Sequence, residues 1–147
     1  MSDQNKLLVY IVDDDKMYSS ALKHYLESNC HDINLQIEQF IVGETLLMSI
    51  DKKPHVIILD YHLNSKFHDA VNGIEILREI KRLSPESKVI MVSGQDSVDV
   101  AVDTIAKGAV DYIVKNSDAY EKIRRAVLNI NDYRKGFFDK VKDIFKK

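Results

Sequence analysis

Residues 7–15 read Leu7-Leu8-Val9-Tyr10-Ile11-Val12-Asp13-Asp14-Asp15, six apolar side chains running straight into three carboxylates. Similar short runs follow at Val56-Ile57-Ile58-Leu59, Val89-Ile90-Met91-Val92 and Tyr112-Ile113-Val114. Unbroken Val/Ile/Leu runs of this length predict strands buried on both faces of a parallel sheet. The stretch from Ile33 to Phe40 alternates instead, with Ile33, Leu35 and Ile37 against Asn34, Gln36 and Glu38, as suits an edge strand with one wetter face.

Between these runs the apolar spacing switches to a helical period. Met17, Ala21, Leu22 and Tyr25 share a face after Asp15, itself an N-cap candidate; Leu46, Leu47 and Ile50 share one after Gly43. Further stripes are Ile74, Leu77 and Ile80, then Val98, Ala101, Val102 and Ile105, then Tyr120, Ile123, Val127 and Ile130 behind Ser117 or Asp118. Gly108 is placed to end the fourth helix as a C′ glycine. Five β-then-α units in succession predict an α/β fold, a doubly wound parallel sheet of five strands with helices on both faces.

Composition narrows the class. The chain has 147 residues, 45% apolar and 30% charged, with 21 basic against 23 acidic side chains and a net charge of -2. That length suffices for one sizeable core. The near-neutral balance speaks against a duplex-DNA-binding surface, so no direct nucleic-acid binding is expected. The single Cys30 can form no internal disulfide, and no apolar run approaches the ~20 residues of a membrane span; a soluble, cytoplasmic protein is expected.

In doubly wound sheets, ligands sit beyond the carboxyl ends of the strands. Here those ends carry Asp13-Asp14-Asp15, Asp60, Ser93-Gly94 and Lys115. Any one of them has an ordinary explanation: an aspartate as a helix cap, a serine as a turn residue, a lysine as a solvated strand end. Together they describe a site. Adjacent carboxylates repel unless a cation compensates them, and hard oxygen donors suit Mg²⁺. A nearby ammonium and hydroxyl would then stabilise a transferring phosphoryl group.

Ile11-Val12-Asp13-Asp14-Asp15, Ile57-Ile58-Leu59-Asp60, Met91-Val92-Ser93-Gly94 and Gly108-Ala109-Val110-Asp111-Tyr112-Ile113-Val114-Lys115 resemble the response-regulator receiver family of two-component signalling. The likeness runs from about Leu7 to Tyr133, so a receiver domain over residues 1–133 is expected. It implies the flavodoxin-like strand order 2-1-3-4-5 and a Mg²⁺ cofactor. It implies Asp60 as phosphoacceptor, Asp14 as a direct metal ligand, Asp13 as one through water, and the His62 backbone carbonyl as the remaining protein ligand. Lys115 would pair with Asp60 and later with the phosphoryl oxygens. Ser93 would hydrogen-bond the phosphoryl group, and Tyr112 would be an aromatic switch moving in behind it. A histidine kinase or phosphotransfer protein would be the donor. The signal would pass through the face of the fourth helix, fifth strand and fifth helix, which could also support a homodimer. Such a domain is no enzyme beyond catalysing its own phosphorylation and dephosphorylation.

Two places depart from the family pattern. Asn116 stands where the family usually has Pro after the lysine, and a trans Lys115–Asn116 bond is expected because a cis non-proline bond costs about 3–4 kcal/mol. The loop from Asp60 to Gly73 is long and lacks the usual Pro. Its His62 and His68 read as surface histidines rather than imidazole ligands, and Phe67 as a local packing anchor. Tyr10, Tyr18, Tyr25 and Tyr61 receive no chemical role, and Cys30 reads as inert.

Alternatives stay open on the residues alone. A Mg²⁺-dependent aspartyl-phosphate hydrolase would need an acid two positions beyond the nucleophile, where His62 stands. A flavodoxin-like mononucleotide binder would need a phosphate loop where three aspartates would repel it. A degenerate receiver used as a scaffold would not need all the phosphorylation residues.

Residues 134–147 carry six basic against two acidic side chains, with Phe137, Phe138, Val141, Ile144 and Phe145 at helical spacing. They predict an extra C-terminal amphipathic helix, separated from the fifth by a break at Gly136. It could dimerise or face a partner, form the stub of a linker to an output domain, fold back on its own domain, or lie on a membrane or nucleic acid. The chain would then be either a stand-alone receiver or part of a longer regulator.

Overall fold

Each apolar run becomes a strand of one parallel sheet. The computed structural model describes residues 6–63 and 72–145. In chain order its elements are β1 (Lys6–Val12), α1 (Lys16–Asn29), β2 (Asn34–Phe40), α2 (Gly43–Met48), a 3-10 turn (Ile50–Lys52), β3 (Val56–Asp60), α3 (Gly73–Leu83), β4 (Lys88–Ser93), α4 (Val98–Ala106), β5 (Asp111–Val114) and α5 (Ala119–Phe145). The strand order is β2-β1-β3-β4-β5 with every pair parallel, so all the carboxyl ends meet along one rim.

The two-residue period of the strands divides the core. Leu7, Val9 and Ile11 of β1 join Ile58, Ile90 and Val92 against Leu22 and Leu26 of α1 and Ile123 and Val127 of α5. Tyr10 and Val12 join Ile57, Leu59, Val89 and Met91 on the other face against Leu46, Ile76, Leu77 and Ile80. Burying each such side chain stabilises the fold by roughly 1.5–3 kcal/mol, which is why β1, β3 and β4 can be almost wholly apolar. Gly108 does follow α4 in a left-handed conformation, φ 112°. Cys30 is buried at the end of α1, and burial pushes its thiol pKa up, as suits an inert side chain.

Three expectations need correction. The fifth run is not buried on both faces: at the sheet edge, where the expected strand order puts it, only Ile113 of β5 is buried. On α4 the stripe Val98, Val102 and Ile105 faces solvent, at 76, 63 and 45% exposure, and Thr104 faces the sheet instead. The helix reads Val-Asp-Val-Ala-Val-Asp-Thr-Ile-Ala, so more than one apolar stripe fits its period. Thr104 can be buried because its hydroxyl donates to the Val100 carbonyl at 2.7 Å. Finally, α5 passes through Gly136 without a break, so the helical tail continues α5 rather than following it. A glycine inside a helix costs about 1 kcal/mol, too little to end a helix with good formers on both sides.

Candidate functional site

At the end of β1 the chain turns sharply into α1. Asp15 caps that helix, its Oδ1 accepting the Tyr18 N–H at 3.1 Å, while the Asp15 N–H donates to Asp13 Oδ1 at 2.9 Å. Asp15 is thus structural, and Asp13 and Asp14 are left facing the rim. Asp60 is the last residue of β3, and its Oδ1 accepts the His62 N–H at 3.2 Å.

Gly73 allows α3 to start close against this strand end. A Cβ there would lie 2.6 Å from the Asp60 carbonyl oxygen and 2.8 Å from the Tyr61 Cα, and the Gly73 N–H donates to the Tyr61 carbonyl at 3.1 Å. Asn72 caps α3 by accepting the Glu75 N–H at 3.1 Å.

The three carboxylates converge. Asp13, Asp14 and Asp60 are all buried, and one oxygen from each lies within 4.8 Å of the others. Lys115, held at the end of β5 by its N–H donating to the Ser93 carbonyl (2.7 Å), reaches in from the side. Its Nζ donates to Asp13 Oδ2 at 2.9 Å and stands 3.4 Å from Asp60 Oδ1, so the ammonium is shared and lies nearer Asp13.

The charges explain the titration. Burial, then the Asp13 charge, pushes Asp60 up to about 7, against the opposing pull of Lys115 and the His62 N–H; Asp14 adds a smaller upward push. Burial works against the Lys115 ammonium. Its hydrogen bond to Asp13 and the charges of Asp60 and Asp13 outweigh that, so its pKa is raised. Three crowded carboxylates facing one ammonium are a set of hard oxygen donors with negative charge to spare, which fits a divalent cation such as Mg²⁺.

Ser93 and Tyr112 meet through a residue that sequence reasoning passed over. Ser93 is fully buried, and its Oγ accepts the Gln95 N–H at 3.1 Å; the Tyr112 hydroxyl donates to the Gln95 carbonyl at 2.6 Å. Gln95 therefore ties both to the loop leading into α4. The exposed His62 packs its ring edge-on against Tyr61, centroids 5.0 Å apart. Asn116 shapes the turn after Lys115, Oδ1 accepting the Asp118 N–H at 2.9 Å; the Lys115–Asn116 bond is trans, as expected. His68 and Phe67 fall in residues 64–71, outside the described residues.

Tyr18 was the other miss. Its ring lies over Lys115, with the ammonium 4.5 Å from the ring centroid. The signal was its place three residues after the cap: first-turn side chains lean back toward the helix N-terminus, here toward the site.

A five-stranded, flavodoxin-like sheet with an acidic cluster and a lysine on its carboxyl rim defines a signalling receiver domain. The model for the response regulator receiver domain matches residues 9–127, and the chain belongs to that family, as the receiver domain of a two-component response regulator. It is 29% identical over 116 residues to the response regulator protein TodT of Pseudomonas putida, covering 78% of this chain and 47% of that one. It is 31% identical over 111 residues to the nitrogen assimilation regulatory protein NtrX of Azorhizobium caulinodans, covering 76% and 23%. The chain thus spans about half or less of these relatives. Among solved structures it resembles the BeF3-activated DrrB receiver domain (TM-score 0.73, 25% identity, 86% of this chain and 98% of that one). It also resembles the receiver domain of NtrX from Brucella abortus (TM-score 0.71, 24% identity, 84% and 98%). No helix among the described residues is long and apolar enough to cross a membrane.

Proposed function

We propose that the chain is a phosphorylation-controlled switch in which Asp60 accepts a phosphoryl group from a phosphohistidine of a histidine kinase or phosphotransfer protein. The observation that carries this reading is the convergence of Asp13, Asp14 and Asp60 with Lys115 at one buried point. An Asp60 oxygen attacks phosphorus, the P–N bond breaks, the imidazole leaves with a proton, and an acyl phosphate remains on Asp60.

Asp14 directly, Asp13 through water, Asp60 and the His62 carbonyl would hold Mg²⁺. The ion would neutralise charge on the nucleophile and on the transferring oxygens. The raised pKa of Asp60 gives that neutralisation a purpose, because only the carboxylate is nucleophilic. Lys115 lies close enough to follow the charge as it moves from Asp60 to the phosphoryl oxygens. Ser93, next to Gly94 on the rim, donates its hydroxyl to the phosphoryl group.

Output follows from the Gln95 link. Drawing Ser93 toward new oxygens pulls on Gln95, and with it on Tyr112 and the start of α4. The exposed Val98, Val102 and Ile105 on α4 make the α4-β5-α5 face the surface that a homodimer or target reads. The domain catalyses only its own phosphorylation and dephosphorylation, and a cytoplasmic setting follows from its kinase partner.

The test is intact mass after incubation with a small phosphodonor and Mg²⁺. The wild type gains one phosphoryl group, and Asp60→Asn and the metal-free wild type gain none. Phosphorylation of Asp60→Asn at the wild-type level refutes the assignment.

A further inference from the structure

Lys115 has only one ammonium, on a flexible four-carbon stem, and on one side it meets Asp13 at 2.9 Å and Asp60 at 3.4 Å. The face of Tyr18 lies on another side, 4.5 Å away at its centroid. The ring is itself clamped. Tyr120 packs edge-on against it at 5.2 Å and 64°, and the Tyr120 hydroxyl donates to the Tyr18 carbonyl at 3.1 Å. Tyr25 in turn lies 5.6 Å from Tyr120 and donates its hydroxyl to Glu121 at 2.6 Å. Three tyrosines from α1 and α5 thus form a wall beside the acidic cluster, and its inner member touches the lysine.

We propose that Tyr18 is a positioning residue of the phosphorylation site, its ring face holding the Lys115 ammonium against Asp13 and Asp60. An aromatic face attracts a cation through its quadrupole, and the attraction grows where water is excluded. The contact narrows the rotamers open to Lys115 while leaving its N–H groups free for oxygens, so the same arrangement serves before and after transfer. The ring acts here and the hydroxyl does not. The Tyr18 phenol oxygen is buried and has no hydrogen-bond partner among the described residues, so removing it forfeits no bond. The inference rests on the phosphoacceptor reading of Asp60.

Two variants separate ring from hydroxyl. Tyr18→Phe keeps the face and is expected to take phosphate from a small phosphodonor at the wild-type rate. Tyr18→Leu is expected to slow by about fivefold, from the loss of one partly buried cation–π contact. An independent readout is the NMR shift of the Lys115 ε-methylene protons, moved upfield by the ring current in the wild type and Tyr18→Phe and restored in Tyr18→Leu. The wild-type shift is diagnostic even if Tyr18→Leu fails to fold.

An unshifted Lys115 in the wild type, a folded Tyr18→Leu at full rate, or a Tyr18→Phe as slow as Tyr18→Leu would each overturn the proposal. If the wild type takes no phosphate yet shows the upfield shift, the phosphoacceptor reading fails and takes Tyr18's part in the reaction with it. The contact would then stand as a structural one.

Discussion

Replacing Asp60 by Asn should stabilise the metal-free protein, and increasingly so as the pH rises. Burial and the Asp13 charge lift the Asp60 pKa from 3.8 to about 7. The folded state therefore binds this proton more tightly than the unfolded chain does. Below about pH 4 both states are protonated and the group costs nothing; between about pH 4 and 7 the unfolded state alone gives up its proton, so stability falls with rising pH. Above about pH 7 the whole penalty is present. A displacement from 3.8 to about 7 corresponds to roughly 4 kcal/mol, an upper figure because the native site can relax around the charge.

Urea melts of wild type and Asp60→Asn in chelator, across that pH range, give the difference directly. Titrating groups away from the site cancel, including His55, whose pKa burial and Arg134 push down, whereas the charges of Asp13, Asp14 and Lys115 act on Asp60 and enter the difference with it. The variant should match the wild type near pH 4 and exceed it by about 2–4 kcal/mol near pH 8. Mg²⁺ should close most of that gap by binding the native wild type. Equal pH slopes for the two proteins, or a wild type more stable at pH 8, would refute the electrostatic account of the site.

Gly73→Ala should destabilise by about 1–3 kcal/mol and slow phosphorylation, since its methyl meets backbone at Asp60 and Tyr61; a melting temperature and rate equal to wild type would show that α3 can shift freely. Val102→Glu should change stability by less than about 0.5 kcal/mol and leave Asp60 phosphorylation unchanged, yet abolish phosphorylation-dependent association measured by light scattering. Deleting residues 135–147 should leave phosphorylation intact and weaken self-association or partner binding. Loss of folding on that deletion would mean that the tail belongs to the domain core.

The strands and most of the site could be read without coordinates because they depend on local pattern. A short continuous apolar run bounded by turn residues favours a strand, and in a parallel sheet every strand delivers its last residue to the same rim. Asp13, Asp14, Asp60, Ser93 and Lys115 were therefore expected along one rim once the strands were recognised, and which of them meet there depends on the strand order. The strand order came from family likeness, since nothing in a run says which neighbour it will have. What tertiary structure alone decided is of that kind. α4 offers more than one face that could pack, so its neighbours chose Thr104 over Val102 as the buried residue. β5 looked buried on both faces by composition, yet at the sheet edge only its Ile113 is buried. Gly136 carried a local signal to stop, outweighed by the helix on either side. Tyr18 looked like any helical tyrosine, and only the packing of α1 against α5, where Tyr120 holds the ring, brings it over Lys115.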